Sequence, residues 1–218
     1  MSKLKLPRPY ISNSQFNLFT RDPMEYYEQY FVAGIQEERE PLTIGKIFQK
    51  AWCDKKYDYA KELEKAGFTS DKARAIKTAL EHPATIRLAK GKTEKTLIVQ
   101  GRGLTYPILA QIDGIDLDIN FVIENKFGIP WTQERTDSGM YYAQNGKRYQ
   151  DRQLTWYILA YHIKYRRFPK FLLQSFNGKH GAPNKFWVIK YVVDLDMLVR
   201  DINNMVALVE AGDFEKYN

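Results

Sequence analysis

The sequence predicts an α/β protein in which a central mixed β-sheet is flanked by helices on both faces. Three observations predict it. Apolar residues recur at helical spacing through roughly the first third of the chain. Extended runs then follow in KTLIVQ, YPILAQIDGIDLD and NFVIENKFG. A buried helix, two further strands and a last helix complete the order.

The elements follow in chain order. Residues 14 to 31 read as a helix with one break: Ser14 caps the first turn, and Asp22 with Pro23 supplies a second N-cap and first-turn pair. From Pro41 to about Lys65 the apolar positions Ile44, Ile47, Phe48, Ala51, Trp52 and Tyr59 predict one long helix, stopped by Gly67. A third helix starts at Ser70, with Asp71 in its first turn, and ends before Pro83. The three extended runs then mark a sheet. A polar loop from about Gly128 to Arg148 leads into QDRQLTWYILAYHIKY, apolar nearly all round between Leu154 and Tyr161 and so a buried helix. The strands KFLLQSF and KFWVIKYVV and a helix from Asp194 follow.

At 218 residues with 44% hydrophobic content, the chain can bury a core of its own, and it carries no repeat or low-complexity linker. One domain over residues 1–218 is expected, with a helical part at about 11–90 and the sheet with its helices at about 94–211. Thirty-three Lys and Arg against 26 Asp and Glu give a net charge of +7, which favours an anionic partner; nucleic acid fits, and so does acidic lipid. The chain has no apolar run of 18 residues and no signal-like start, so a soluble, intracellular, cytoplasmic protein without a membrane partner is expected. The single cysteine, Cys53, falls in an apolar-periodic stretch and reads as a small core residue.

The acids within the strands carry the chemistry. In VIENKFG the period-2 rule puts Glu124 and Lys126 on one face with Val122, while Ile123, Asn125 and Phe127 point to the other. Asp113 interrupts the apolar run ILAQIDGI eleven residues before Glu124, a separation that suits neighbouring antiparallel strands joined by a turn at Asp118, Ile119 and Asn120. Charged groups in such strands are costly unless paired or metal-bound. Two carboxylates and a backbone carbonyl make a hard oxygen site suited to Mg²⁺ or Mn²⁺, and a metal there acidifies water and stabilises a phosphoryl oxygen, with Lys126 orienting the water or offsetting charge. The bland alternative is an ion pair of Glu124 with Lys126 on a solvated strand and a turn begun by Asp113 and Gly114.

Four segments, in order from residue 11 to about 161, resemble the PD-(D/E)XK nucleases, in particular the RecB-like branch that includes CRISPR-associated exonucleases and many phage nucleases. They are SNSQFNLFTRDPMEYYEQYF, GKIFQ, the pair of Asp113 with Glu124-Asn125-Lys126, and RQLTWY with Gln153 and Tyr157. The resemblance implies a restriction-endonuclease-like fold. It implies Asp113 and Glu124 as metal-binding acids, the backbone carbonyl of Asn125 as a further ligand and Lys126 as the catalytic lysine. It also implies that Gln153 and Tyr157, one helical turn apart, brace the site or touch the scissile phosphate. Two positions depart from the pattern. Gln49 stands where many members have a metal-binding His, and offers a neutral, weaker oxygen donor. Asp22 stands where iron–sulfur members have a Cys, and one cysteine cannot hold such a cluster, so no iron–sulfur cluster is expected.

For DNA contact, Trp131, Arg135, Tyr141, Tyr142, Lys147 and Arg148 in the polar loop suit phosphate contact and base stacking, although long polar loops are commonly solvated connections. Ser12, Ser14 and Gln15 suit phosphate binding at a helix start, although capping alone accounts for Ser14. Lys90, Lys92, Lys95 and Arg102 either extend a positive surface or form a solvated face. His82, His162 and His180 show no metal-ligand spacing. The expected activity is Mg²⁺- or Mn²⁺-dependent DNA cleavage, as an exonuclease or DNA-end processor, with a homo-oligomer or a protein partner in recombination or repair as further possibilities. The competing expectation is a weakly active or inactive DNA-binding accessory protein on the same scaffold, with an RNA nuclease third.

Overall fold

The computed structural model describes residues 4–33, 40–89, 91–128, 132–136, 139–144, 147–149, 152–188 and 195–215. Trp131, Lys90 and the end of the predicted last strand lie outside them.

Strand β1 (Ile11–Ser12) leads directly into helix α1 (Asn13–Arg21). The cap is Ser12 and not Ser14: its hydroxyl accepts from the Gln15 N–H at 3.3 Å, and Gln15 Oε1 accepts from the Ser12 N–H at 2.8 Å, closing a capping box. The Asp22-Pro23 signal holds, with Asp22 Oδ1 accepting from the Glu25 N–H at the start of α2 (Pro23–Tyr27); a π-helical turn, Glu28–Ala33, replaces the expected α-helical continuation.

The single long helix expected from Pro41 to Lys65 is two helices, α3 (Glu40–Cys53) and α4 (Tyr59–Lys65). Two aspartates break it. Asp54 Oδ1 accepts from the Lys56 N–H, and Asp58 Oδ1 accepts from the Lys61 N–H to cap α4, so local side-chain bonds outcompete helix continuation. Helix α5 (Ser70–Glu81) starts and stops where the sequence places it.

The main sheet is mixed and six-stranded: β2 (Thr93–Val99), β3 (Ile108–Asp116), β4 (Phe121–Gly128), β8 (Lys170–Asn177), β9 (Pro183–Val188) and β1, ordered β1-β3-β4-β8-β9 with β2 on β3. β4 and β8 run parallel, as do β1 and β3; the other pairs are antiparallel. The predicted polar loop instead contains strands β5 (Thr132–Thr136), β6 (Gly139–Gln144) and β7 (Lys147–Tyr149), paired as a separate antiparallel sheet. Their sequences, TQERT, GMYYAQ and KRY, are mostly polar and carry no alternating apolar stripe, so no apolar face announced them.

Helices cover the main sheet on both faces. One core joins Val122, Phe171 and Leu173 of the sheet to α1, to α6 (Arg152–Tyr165) and to α7 (Leu195–Ala211). The other joins Phe121, Ile123, Leu172 and Phe176 to Ile47, Phe48, Ala51 and Trp52 of α3 and to α5. Alternate residues of β4 and β8 thus feed opposite cores, as period-2 geometry requires. No helix among the described residues is long and apolar enough to cross a membrane.

Candidate active site

The site forms where β3 and β4 part. Gly114 pairs with both Thr93 of β2 and Ile123 of β4, and Ile108 pairs with both Val99 of β2 and Ile11 of β1. β2 therefore runs along one edge of β3, while β1 and β4 share the other. Between them, residues 110–113 have no strand partner on that edge among the described residues. Asp113 sits at the end of this gap.

There its carboxylate takes over a missing ladder bond: Asp113 Oδ2 accepts from the Asn125 N–H at 2.6 Å. The side-chain phase of β3 also slips at this point. Ile108, Ala110 and Ile112 enter the α6-side core in strict alternation, yet Ile115 belongs to that same core. Opposite the slip, Glu94 has φ +46°. Continuing the Gly114–Ile123 register by one step sets Asp113 across from Glu124, so the expected hairpin and turn bring both acids together.

Glu124 and Lys126 lie on the α6 face of β4, as the alternation predicts. Lys126 Nζ donates to Glu124 Oε1 at 2.7 Å and to Gln153 Oε1 at 2.6 Å, and Gln153 Nε2 donates to the Tyr157 hydroxyl at 2.6 Å. The Glu124 side chain is only 4% exposed and that of Lys126 24%, which sets this pair apart from a solvated surface ion pair. α6 thus supplies a clamp that holds the ammonium over the acids.

Burial, and next the negative charge of Glu124, push the Asp113 carboxyl well above its usual range; Lys126 and the Asn125 N–H partly oppose them. Two acids thus share one ammonium at a partly buried site. Asn125 adds a neutral donor: the N–H and C=O of one strand residue face the same edge, so the N–H bond to Asp113 puts the carbonyl on the Asp113 side too. This all-oxygen set, with two acids and one carbonyl, fits a hard divalent cation such as Mg²⁺ or Mn²⁺. Among the described residues no group of three or more His, Cys, Asp or Glu is placed to hold a metal ion.

Gln49 is placed on α3 with its amide Nε2 donating to Cys53 Sγ at 3.4 Å. Cys53 is half-buried, and its thiol is pushed up to about 12, chiefly by burial and then by Glu94, with a smaller contribution from Asp113. Gln49 therefore lies one helical turn from a residue that senses Asp113, but its observed bond is to sulfur.

Ser12 and Gln15 are committed to capping, Ser14 bonds Ser12 Oγ at 3.0 Å, and Gln15 is fully buried. They sit on the β1 side of the same gap in β3. Arg135 falls on β5 and Lys147 with Arg148 on β7. Lys92 is bound by Asp116 at 2.8 Å and Asp118 at 2.7 Å, and Arg102 by Asp196 at 2.9 Å, so these two do not extend a free positive surface. Sequence reasoning missed Glu94, whose charge also raises Asp113, and Gln174, which bonds the Asn125 side chain; neither residue falls in a motif.

No family model and no curated protein matches the chain. Among solved structures, the fold is similar to that of an Eubacterium rectale protein described as a candidate exonuclease, with a TM-score of 0.71 at 12% identity, covering 94% of this chain and 82% of that one. The structure of the protein SSO0001 aligns at a TM-score of 0.35 and 14% identity over 88% of this chain and 85% of its own, too weak a match to carry an argument. The chain therefore shares its α/β architecture, a mixed sheet between helical layers, with a protein described as a candidate nuclease.

Proposed function

We propose that this chain is a Mg²⁺- or Mn²⁺-dependent nuclease that hydrolyses phosphodiester bonds in DNA, acting as an exonuclease or DNA-end processor, and that its site is of the PD-(D/E)XK kind. The observation that carries this reading is the convergence of Asp113, Glu124 and Lys126 at the parting of β3 and β4, with Lys126 gripped by Gln153. The exonuclease preference rests on the sequence resemblance and on the description of the Eubacterium rectale neighbour.

Asp113, Glu124 and the Asn125 carbonyl would hold the cation. When bound, the cation supplies Lewis-acid neutralisation of a phosphoryl oxygen and makes water more acidic. Lys126 places a positive charge beside the acids, where it orients the attacking water or offsets charge that develops on the phosphate. Gln153 fixes the lysine's direction and Tyr157 fixes Gln153, so the ammonium is preorganised before substrate arrives.

The bond from Gln49 to Cys53 favours a second reading, a DNA-binding accessory protein with little activity of its own. One assay separates the two: incubation with linear, circular and single-stranded DNA in Mg²⁺ or Mn²⁺, with Asp113→Asn alongside. Metal-dependent cleavage lost in the variant supports the nuclease. Salt-sensitive DNA binding that survives Asp113→Asn, without cleavage of any substrate, supports the accessory protein.

A further inference from the structure

Gln174 lies on β8 directly beside Asn125 in the parallel register, on the sheet face of Leu172 and Phe176 and fully buried. A buried amide in such surroundings is costly unless its atoms are bonded. Gln174 Oε1 accepts from the Ile86 N–H at 2.8 Å, and its Nε2 donates both to the Ile86 carbonyl at 3.0 Å and to Asn125 Oδ1 at 2.9 Å. The first two bonds treat Ile86 as a strand treats its neighbour. The third has a different consequence.

Asn125 Nδ2 is buried with no hydrogen-bond partner among the described residues, so the orientation of its amide is set by what its oxygen accepts from Gln174. The backbone N–H of the same residue holds Asp113. β4 is thus gripped at residue 125 from both sides, by Gln174 through the side chain and by Asp113 through the main chain. Residue 86 is itself anchored to α3, where the Trp52 indole donates to the Ile86 carbonyl at 3.2 Å, and Arg87 donates to the carbonyls of Ala51 at 2.7 Å and Trp52 at 2.6 Å.

We infer that Gln174 is a positioning residue of the candidate metal centre: by fixing Asn125 it sets the place of the Asn125 backbone, and with it the spacing of Asp113 and Glu124. This rests on reading the site as a metal centre, as proposed above. Indirect supports of this kind change metal affinity by about 10–100-fold when removed.

The test uses the full chain with Gln174→Met, similar in length without the amide, and Asn125→Ala, which leaves both Ile86 bonds in place should the first variant fold poorly. Mn²⁺ affinity is read by calorimetry, and amide hydrogen exchange at residue 125 is read in metal-free protein. Both variants are expected to bind Mn²⁺ about 10-fold or more weakly. Both should also exchange faster at residue 125 while Val122 and Ile123 keep their protection. Wild-type Mn²⁺ affinity in both variants, or unchanged exchange at residue 125, overturns the inference. If the wild type shows no Asp113-dependent Mn²⁺ binding, the metal reading falls, and exchange in metal-free protein alone decides whether Gln174 holds the Asp113–Asn125 bond.

Discussion

Asp113 is held between opposed influences: burial and Glu124 favour its protonated form, while Lys126 and the Asn125 N–H favour the carboxylate. Its folded-state pKa is raised above the unfolded value. Its contribution to stability is therefore fully present below the unfolded pKa and is lost as pH rises through the raised folded pKa. Metal-free Asp113→Asn keeps an oxygen for the Asn125 N–H without the charge. Thermal melts in chelator at pH 8 should accordingly find it more stable than the wild type, by about 1.4 kcal/mol for each pH unit that separates folded from unfolded titration of the carboxyl, with the gap closing on acidification. Equal melting across that range would remove the electrostatic account of the site. Lys126→Met should reduce cleavage about 100-fold or more, since it removes the ammonium that Gln153 preorganises, and should lower stability by roughly 3–5 kcal/mol by leaving Glu124 buried without that ammonium. Paired kinetics and denaturant titrations check both figures. Asp113, Glu124 and Lys126 stand out in the sequence because charge within apolar strands is a local signal, whereas Gln153 and Tyr157 entered only through the family resemblance. The bond from Gln49 to Cys53 and the approach of Gln174 to Asn125 were not legible, because the first is a choice among rotamers and the second joins residues 49 positions apart.

Among the elements, β3 does the most to build the site. It is shared along one edge by β1 and β4, and its side-chain phase slips where they part. Gly114 is required at that point: a Cβ there would lie 2.6 Å from Leu88 Cδ1, 2.7 Å from Ile123 Cγ2 and 3.3 Å from the Trp52 ring. Gly114→Ala should destabilise the protein by about 1–3 kcal/mol through overpacking, read in urea, and should weaken Mn²⁺ binding because Asp113 is its neighbour. A neutral effect on both would show that the strand has slack at the slip. The order and type of β2, β3, β4, α5 and α6 could be read from periodicity, since each buries one face or all faces. Two features could not. The break between α3 and α4 depends on Asp54 and Asp58 bonding their own backbone. Strands β5, β6 and β7 carry no apolar stripe, so composition alone made them look like a loop.

Across the whole molecule, two cores on opposite faces of one sheet hold β4 and β8 in register, and the site lies at the stretch of β3 between β1 and β4 that has no strand partner on that edge among the described residues. A cation that binds the folded site and not the unfolded chain must stabilise the fold: at 100 times its Kd, Mn²⁺ should add about 2.7 kcal/mol. For a chain of this size each kcal/mol raises Tm by roughly 2–4 °C. Scanning calorimetry with and without Mn²⁺ should show that rise in the wild type and not in a Glu124→Gln variant; a rise in both would place the bound ion elsewhere. Whether this site cuts DNA with a divalent cation is decided by the cleavage rate of end-labelled linear DNA by the full chain, in chelator and in Mn²⁺, beside Lys126→Ala. Mn²⁺-dependent cleavage by the wild type, falling at least about 100-fold in the variant, is the expected result. Cleavage that persists in chelator, or that Lys126→Ala leaves unchanged, would contradict it.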